Sequence, residues 1–163
     1  MEKNSIKKAR TLVIGVVILT IALFVVAYSV SLSQPSAEDS GSLEALAGNC
    51  RFNLEIADSI YEQYKGLSHR DSLCSTCGLL FVFSDFKQRN FVMRDMHFPL
   101  DIIYIKDGVI SEILPNLQPE NGRLSDHISQ EKIDMALEIN AGLAQRCGLK
   151  VGSSIYFSTK KYD

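Results

Sequence analysis

Phe91-Val92-Met93-Arg94-Asp95-Met96-His97-Phe98-Pro99-Leu100-Asp101-Ile102-Ile103-Tyr104-Ile105 is the stretch on which the reading of the chain turns. Its first six residues alternate, Phe91, Met93 and Asp95 against Val92, Arg94 and Met96, which is strand periodicity. Pro99 removes a backbone donor and biases Phe98 toward extended or turn geometry, so the pattern breaks at His97-Phe98-Pro99. Leu100 to Ile105 is apolar on both faces and predicts a strand covered on both sides. Asp101 lies within it, on the side of Ile103 and Ile105. A carboxylate there must be paired, hydrogen-bonded or close to water. Arg94 and His97 are its nearest candidates in sequence.

Working outward, Asp107-Gly108 suits a tight hairpin turn with positive backbone angles, and Val109 to Leu114 returns as the partner strand. Pro115 to Glu131 holds two prolines, Gly122 and few apolar residues, so a long surface loop is expected. Met135 to Ile139 predicts another strand, Asn140 a cap for a short helix over Ala141 to Cys147, and Gly148 its end. Lys150 to Phe157 is expected as the last strand. On the other side, Arg51 to Asp58 alternates with Phe52, Leu54 and Ile56 inward. Ser59 and Glu62 have the spacing of a capping box for a helix from Ile60 to about Lys65, stopped by Gly66. Leu67 to Cys77 reads as a loop, Gly78 to Phe83 as a buried strand, and Ser84 to Asn90 as a turn. Six or seven strands and two short helices, without a strand-helix-strand repeat along the chain, predict a mainly β (α+β) domain. Its sheet should be mostly antiparallel, curled or partly closed into a barrel.

The 163 residues carry a net charge of −2, a figure that averages two dissimilar regions. Lys3, Lys7, Lys8 and Arg10 precede Thr11 to Leu32, which has no charge and is long enough as a helix to cross a bilayer core of roughly 30 Å at about 1.5 Å per residue. The expected organisation is a cytoplasmic basic segment over 1–10, a transmembrane anchor over 11–32, a flexible linker over 33–49 and an extracytoplasmic domain over 50–163. The alternative is a signal peptide cleaved near Ala27 or Ser29, although cleaved apolar regions are usually shorter. No Cys follows the apolar run until Cys50, which argues against a lipoprotein. No basic stripe interleaves with aromatics, so nucleic acid is not an expected partner.

All four cysteines fall in the outer region. An oxidising exterior favours disulfides, and among the three possible pairings Cys50 with Cys147 and Cys74 with Cys77 is favoured.

Three blocks resemble the family called domain of unknown function 192, found across bacteria and archaea, often behind a signal peptide or anchor. Lys65-Gly66-Leu67 followed by Gly78-Leu79-Leu80-Phe81-Val82-Phe83 is similar to its Gly-Leu-Met and Gly-Met-Leu-Phe-x-Phe. Phe91 to Ile105 is similar to its Phe-Trp-Met-Lys-Asn-Thr, then Pro-Leu-Asp and an apolar strand. Leu137-Glu138-Ile139-Asn140-Ala141-Gly142 is similar to its Leu-Glu-Leu-Asn-Ala-Gly. The chain departs at Val92 for the family's Trp, at Asp95-Met96 for its Asn-Thr, and at Gly152-Ser153 for its Gly-Asp. The resemblance implies a compact β-rich fold, and no activity comes with it.

Asp101 and Glu138 are each the lone carboxylate in an apolar strand. Should they converge near Arg94, they could divide acid and base roles in a hydrolase, with His97 a weaker catalytic candidate. The alternative is structural, with each carboxylate holding a turn or an ion pair. Arg94 has the planar fork that suits carboxylate or phosphate, or it answers Asp95 or Asp101. Cys74-x-x-Cys77 could be half a metal site with His69, His97 or His127, a redox dithiol, or a structural disulfide. No glycine-rich phosphate loop, nucleophile elbow or helical His pair is present, so no cofactor is expected. The leading expectation is a tethered domain that binds an unidentified small molecule or extracytoplasmic protein through Arg94, Asp95, Asp101, Glu138 and Asn140. The hydrolase and the thiol or metal site are the alternatives.

Overall fold

The computed structural model describes residues 43–120, 122 and 125–159. The strands are β1 (Leu43–Ala47), β2 (Cys50–Ala57), β3 (Cys77–Lys87), β4 (Asn90–Phe91), β5 (Leu100–Lys106), β6 (Val109–Leu117), β7 (His127–Ile128), β8 (Ile133–Asn140) and β9 (Ile155–Thr159). The helices are α1 (Ile60–Lys65) and α2 (Leu143–Arg146). Seven strands form one sheet in the order β6-β5-β8-β3-β2-β1-β9, and β4 with β7 makes a separate ribbon. Every pairing in the sheet is antiparallel except β2 with β3, which are joined through α1 and therefore run parallel.

The sheet curls until its edges meet at one end. Ile110 N donates to Ser153 O at 2.9 Å, Gly152 N to Ile110 O at 2.8 Å and Ile155 N to Gly108 O at 2.9 Å. Asp107 and Gly108 both have positive φ, as the hairpin between β5 and β6 requires. The Ser59 capping box forms in full and starts α1. The mainly β, curled architecture with two short helices is as the sequence predicts.

Both faces of the sheet are covered. Phe52, Leu80, Ile103, Ile105, Leu137 and Ile139 form a core on one side that α2 closes. Leu79, Phe81, Leu100, Ile102, Tyr104 and Ala136 form a second core on the other, under Leu67, Phe91, Met93 and Met96. This explains why β5 is buried at every position but Lys106. Two disulfides complete the domain, Cys50–Cys147 and Cys74–Cys77, the pairing favoured from sequence.

Several expectations change. Asn140 does not cap α2, which starts after Gly142 without a side-chain cap; Ser84 to Lys87 continues β3 rather than turning; and the last strand begins at Ile155 rather than Lys150. Leu43–Ala47, placed in the linker, is β1 and lies between β2 and β9. Phe91 to Met96 is not a continuous strand: only Phe91 is in one, and Asp95 has φ 54°. Alternating burial here marks a segment lying on the sheet rather than paired within it. Pro115 to Leu117 is not loop but the end of β6, where an edge strand tolerates a residue without N–H. His127–Ile128 pairs with Asn90–Phe91, and the buried Tyr104 hydroxyl donates to His127 O, fixing this ribbon over the sheet. The segment Thr11 to Leu32 lies outside the described residues. Among those described, no helix is long and apolar enough to cross a membrane.

Candidate functional site

Glu138 is at the centre of the sheet. Its cross-strand neighbours are Ile102 on β5 and Leu79 on β3, so it shares their face and is surrounded by the second core. It is 6% exposed, and its Oε2 is buried without a hydrogen-bond partner. Removal from water raises its pKa from an ordinary 4.5 to about 8, opposed by attraction to Arg70. Arg70 is itself occupied by Glu55, through two bonds of 2.6 and 2.7 Å. Near neutral pH Glu138 is therefore largely a carboxylic acid.

A cavity of about 440 Å³ opens over this group. Its walls come from α1 and the turn after it (Gln63 to Ser68), from Phe81 and Phe83 on β3, from Gln88 to Val92, and from Arg94 and Met96. Local structure explains each wall. Gln63 Nε2 donates to Val82 O at 2.9 Å and pins α1 to the edge of β3. Gly66 has φ 50° and ψ −134°, a backbone shape that L side chains rarely adopt, and a Cβ there would lie 3.8 Å from Glu138 Oε2. Burial of Met93 and Met96 holds the intervening chain against the sheet. Ser68 Oγ donates to Arg94 O at 3.0 Å, and His69 N to Asp95 O at 2.8 Å, tying the two rims together.

Arg94 is at the rim. Its guanidinium lies 4.4 Å from the Tyr64 ring centroid, its Nη2 reaches Tyr64 O at 3.3 Å, and its Nε is 3.6 Å from Asp95. A smaller cavity of about 240 Å³ shares Tyr64, Lys65, Ser68 and Arg94 with the first, and Asp95 and His69 line it. Arg89 lines the larger cavity, with its guanidinium 4.0 Å over Phe83, its terminal nitrogen on Asp85, and its Nε buried without a partner.

The site thus joins Arg94 and Glu138 and leaves out most of the other candidates. Asp101 pairs in register with Ile139, one position from the Ile102–Glu138 pair, so it leaves the sheet on the opposite face. There it accepts from Asn116 N at 2.8 Å, Gly142 N at 3.0 Å and Ala144 N at 2.8 Å. The expected acid and base pair does not converge, and Asp101 is structural. Asn140 donates to Leu73 O and Cys74 O and secures the disulfide loop. His97 is exposed beside Asp71 and does not line the cavity. Both cysteines of the Cys74 pair are oxidised, which removes them as a thiolate site with His69. Among the described residues no group of three or more His, Cys, Asp or Glu could hold a metal ion.

Residues 43–157 match the profile of a family described as an uncharacterized ACR, the domain of unknown function 192. The chain belongs to this family. A protein of unknown function from Novosphingobium aromaticivorans DSM 12444 is similar in structure. It has a TM-score of 0.65 and 30% identity over 71% of this chain and 83% of that one. A protein from Sinorhizobium meliloti 1021, proposed as a transcription regulator, has a TM-score of 0.63 and 26% identity over 71% of this chain and 91% of that one. No curated protein matches. The three blocks that resemble the domain of unknown function 192 converge in space on one place. Gly66, Phe81, Phe91, Arg94 and Glu138 all line the larger cavity.

The sequence reading missed Arg89, Phe83, Tyr64, Lys65 and Gly66 as site residues. The available signal was Gly66, a glycine inside a family block that the end of a helix does not by itself require.

Proposed function

We propose that this chain is a membrane-tethered extracytoplasmic domain that binds a small molecule in the cavity above Glu138. The observation that carries the reading is Glu138, which lines the cavity with its carboxyl buried and one oxygen unsatisfied. An unpaired polar group of this kind costs about 1–3 kcal/mol in a core, a cost a bound ligand's hydrogen bond would offset. The cavity lies in the usual size range for small-molecule sites, and its aromatic walls with a few polar groups have their usual chemistry. The tether is supported by the uncharged run from Thr11 to Leu32 behind four basic residues, and the outer location by two disulfides.

The test is a fragment screen by protein-observed NMR on the full chain in detergent micelles. Hits should shift the amides of Gly66, Phe91 and Glu138 together. A library that leaves these three unmoved at millimolar concentration, or whose hits all map elsewhere, would rule the reading out. Alkaline phosphatase fused after Asp163 should be active in cells if the carboxyl end is outside.

A further inference from the structure

We infer that the ligand of this cavity is a small organic anion whose apolar or aromatic body lies among Phe81, Phe83 and Phe91, and whose carboxylate or phosphate is held by Arg94. The inference rests on the cavity being a ligand site and adds the charge and shape of what it takes.

The charges lining the larger cavity are unequal. Among the described residues that line it, Lys65, Arg89 and Arg94 are cationic and Glu138 is the one acidic side chain. Arg89 is answered by Asp85, whereas Lys65 forms no salt bridge among the described residues and attracts Glu55 only at longer range. Arg94 is only loosely engaged. Its contacts to Asp95 and to Tyr64 O are long, the Asp95 side chain is half exposed, and Nη1 has no partner among the described residues. An exposed pair of that kind contributes little and yields readily to a better partner.

Arg94 is also partly held in position. Its guanidinium sits over the Tyr64 ring, and the Ser68 bond to Arg94 O fixes the backbone beneath it. A planar fork held in place binds carboxylate or phosphate through two parallel bonds at small entropic cost. Glu138, mostly protonated near neutral pH, does not repel an anion and can donate a hydrogen bond to an acceptor on the ligand body. A cationic ligand would meet Lys65 and Arg94 in the lining and no ionised partner at Glu138. Phe81 and Phe91 pack edge to face, with ring centroids 5.0 Å apart, and with Phe83 they give the cavity an aromatic wall for an apolar ligand body.

The experiment uses the full chain in micelles, below the pH at which Glu138 ionises, titrated by calorimetry with phenylacetate, phenyl phosphate, phenylacetamide and phenethylamine. At least one of the two anions should bind about ten-fold or more tighter than the neutral amide, a difference of about 1.4 kcal/mol. Comparing the two anions shows whether the site prefers a carboxylate or a phosphate. Arg94→Gln should erase the anion preference, bringing the two anions to the affinity of the amide, and Arg94→Lys should retain part of it. Equal binding of the amide, or tighter binding of the amine, overturns the inference while the cavity remains a ligand site. If none of the four binds although fragments shift Gly66 and Glu138, the inference is likewise overturned. If fragments also fail there, the ligand-site reading falls with it.

Discussion

Asp101 and Glu138 stand on hydrogen-bonded strands one register position apart, and their carboxyl groups leave the sheet on opposite faces. Two residues with the same sequence signature thus have separate roles. Asp101 stitches the fold. Pro115 and Asn116 bulge out of β6 opposite Asp101, between the Leu100–Leu117 and Ile102–Leu114 pairs, and its Oδ1 takes the Asn116 N–H that the ladder leaves unpaired. The same carboxylate fastens Gly142 and Ala144 at the start of α2.

Replacing Asp101 by Ala should therefore destabilise the domain by about 2–4 kcal/mol, because three backbone amides, one buried and two part-buried, lose their acceptor. Urea titration measures this. At low urea, where the variant is still folded, its affinity for phenylacetate should equal that of the parent.

Glu138 makes stability depend on pH in a direction that can be worked out. Its folded pKa is raised from 4.5 to about 8, so between these values the folded state holds a proton that the unfolded state has released. Stability must then fall as pH rises through that window, by at most on the order of 4–5 kcal/mol, and level off above it. Glu138→Gln removes the titration. Thermal melts from pH 5 to 9 should show the parent losing stability relative to this variant as pH increases. Parallel curves would mean that Glu138 is not desolvated as described.

Gly66→Ala tests the turn that forms one wall of the cavity. The added methyl meets Phe81 Cζ at 3.5 Å and Glu138 Oε2 at 3.8 Å, ordinary contacts, so the cost lies in the backbone at φ 50°. We expect a loss of about 1–3 kcal/mol by chemical denaturation. Phenylacetate should also bind less tightly, because the methyl covers the carboxyl.

The two disulfides should differ in weight. Cys50–Cys147 spans 97 residues and Cys74–Cys77 spans 3. Loop entropy assigns them about 4–5 and about 2 kcal/mol. The double variant Cys50→Ser/Cys147→Ser should lower the denaturation midpoint more than Cys74→Ser/Cys77→Ser, and equal effects would contradict the account.

What could be read along the chain was local. The Ser59 and Glu62 cap, the Asp107-Gly108 hairpin and the doubly covered strand from Leu100 to Ile105 depend on residues within a few positions of one another. Segment 91–96 shows where that ends. Burial of Phe91 and Met93 produces an alternation identical to that of a strand, yet the segment lies across the sheet and turns at Asp95. Hydrophobic periodicity reports which side is buried. It does not report whether the backbone groups pair with a neighbouring strand.

The β-rich class, the Asp107-Gly108 turn, the Ser59 cap and the favoured cysteine pairing were legible in the residue order, and Arg94 and Glu138 could be picked out there as candidates. The face that each carboxylate takes follows from strand pairing, because a register shift of one residue reverses every side chain and no local pattern encodes the register of β5 against β8. Tertiary structure alone assembled the cavity, since α1, β3, the Arg94 segment and β8 become neighbours only when the sheet forms. The charge of Glu138 was decided there too, because desolvation comes from what packs around a residue and not from what adjoins it in the chain.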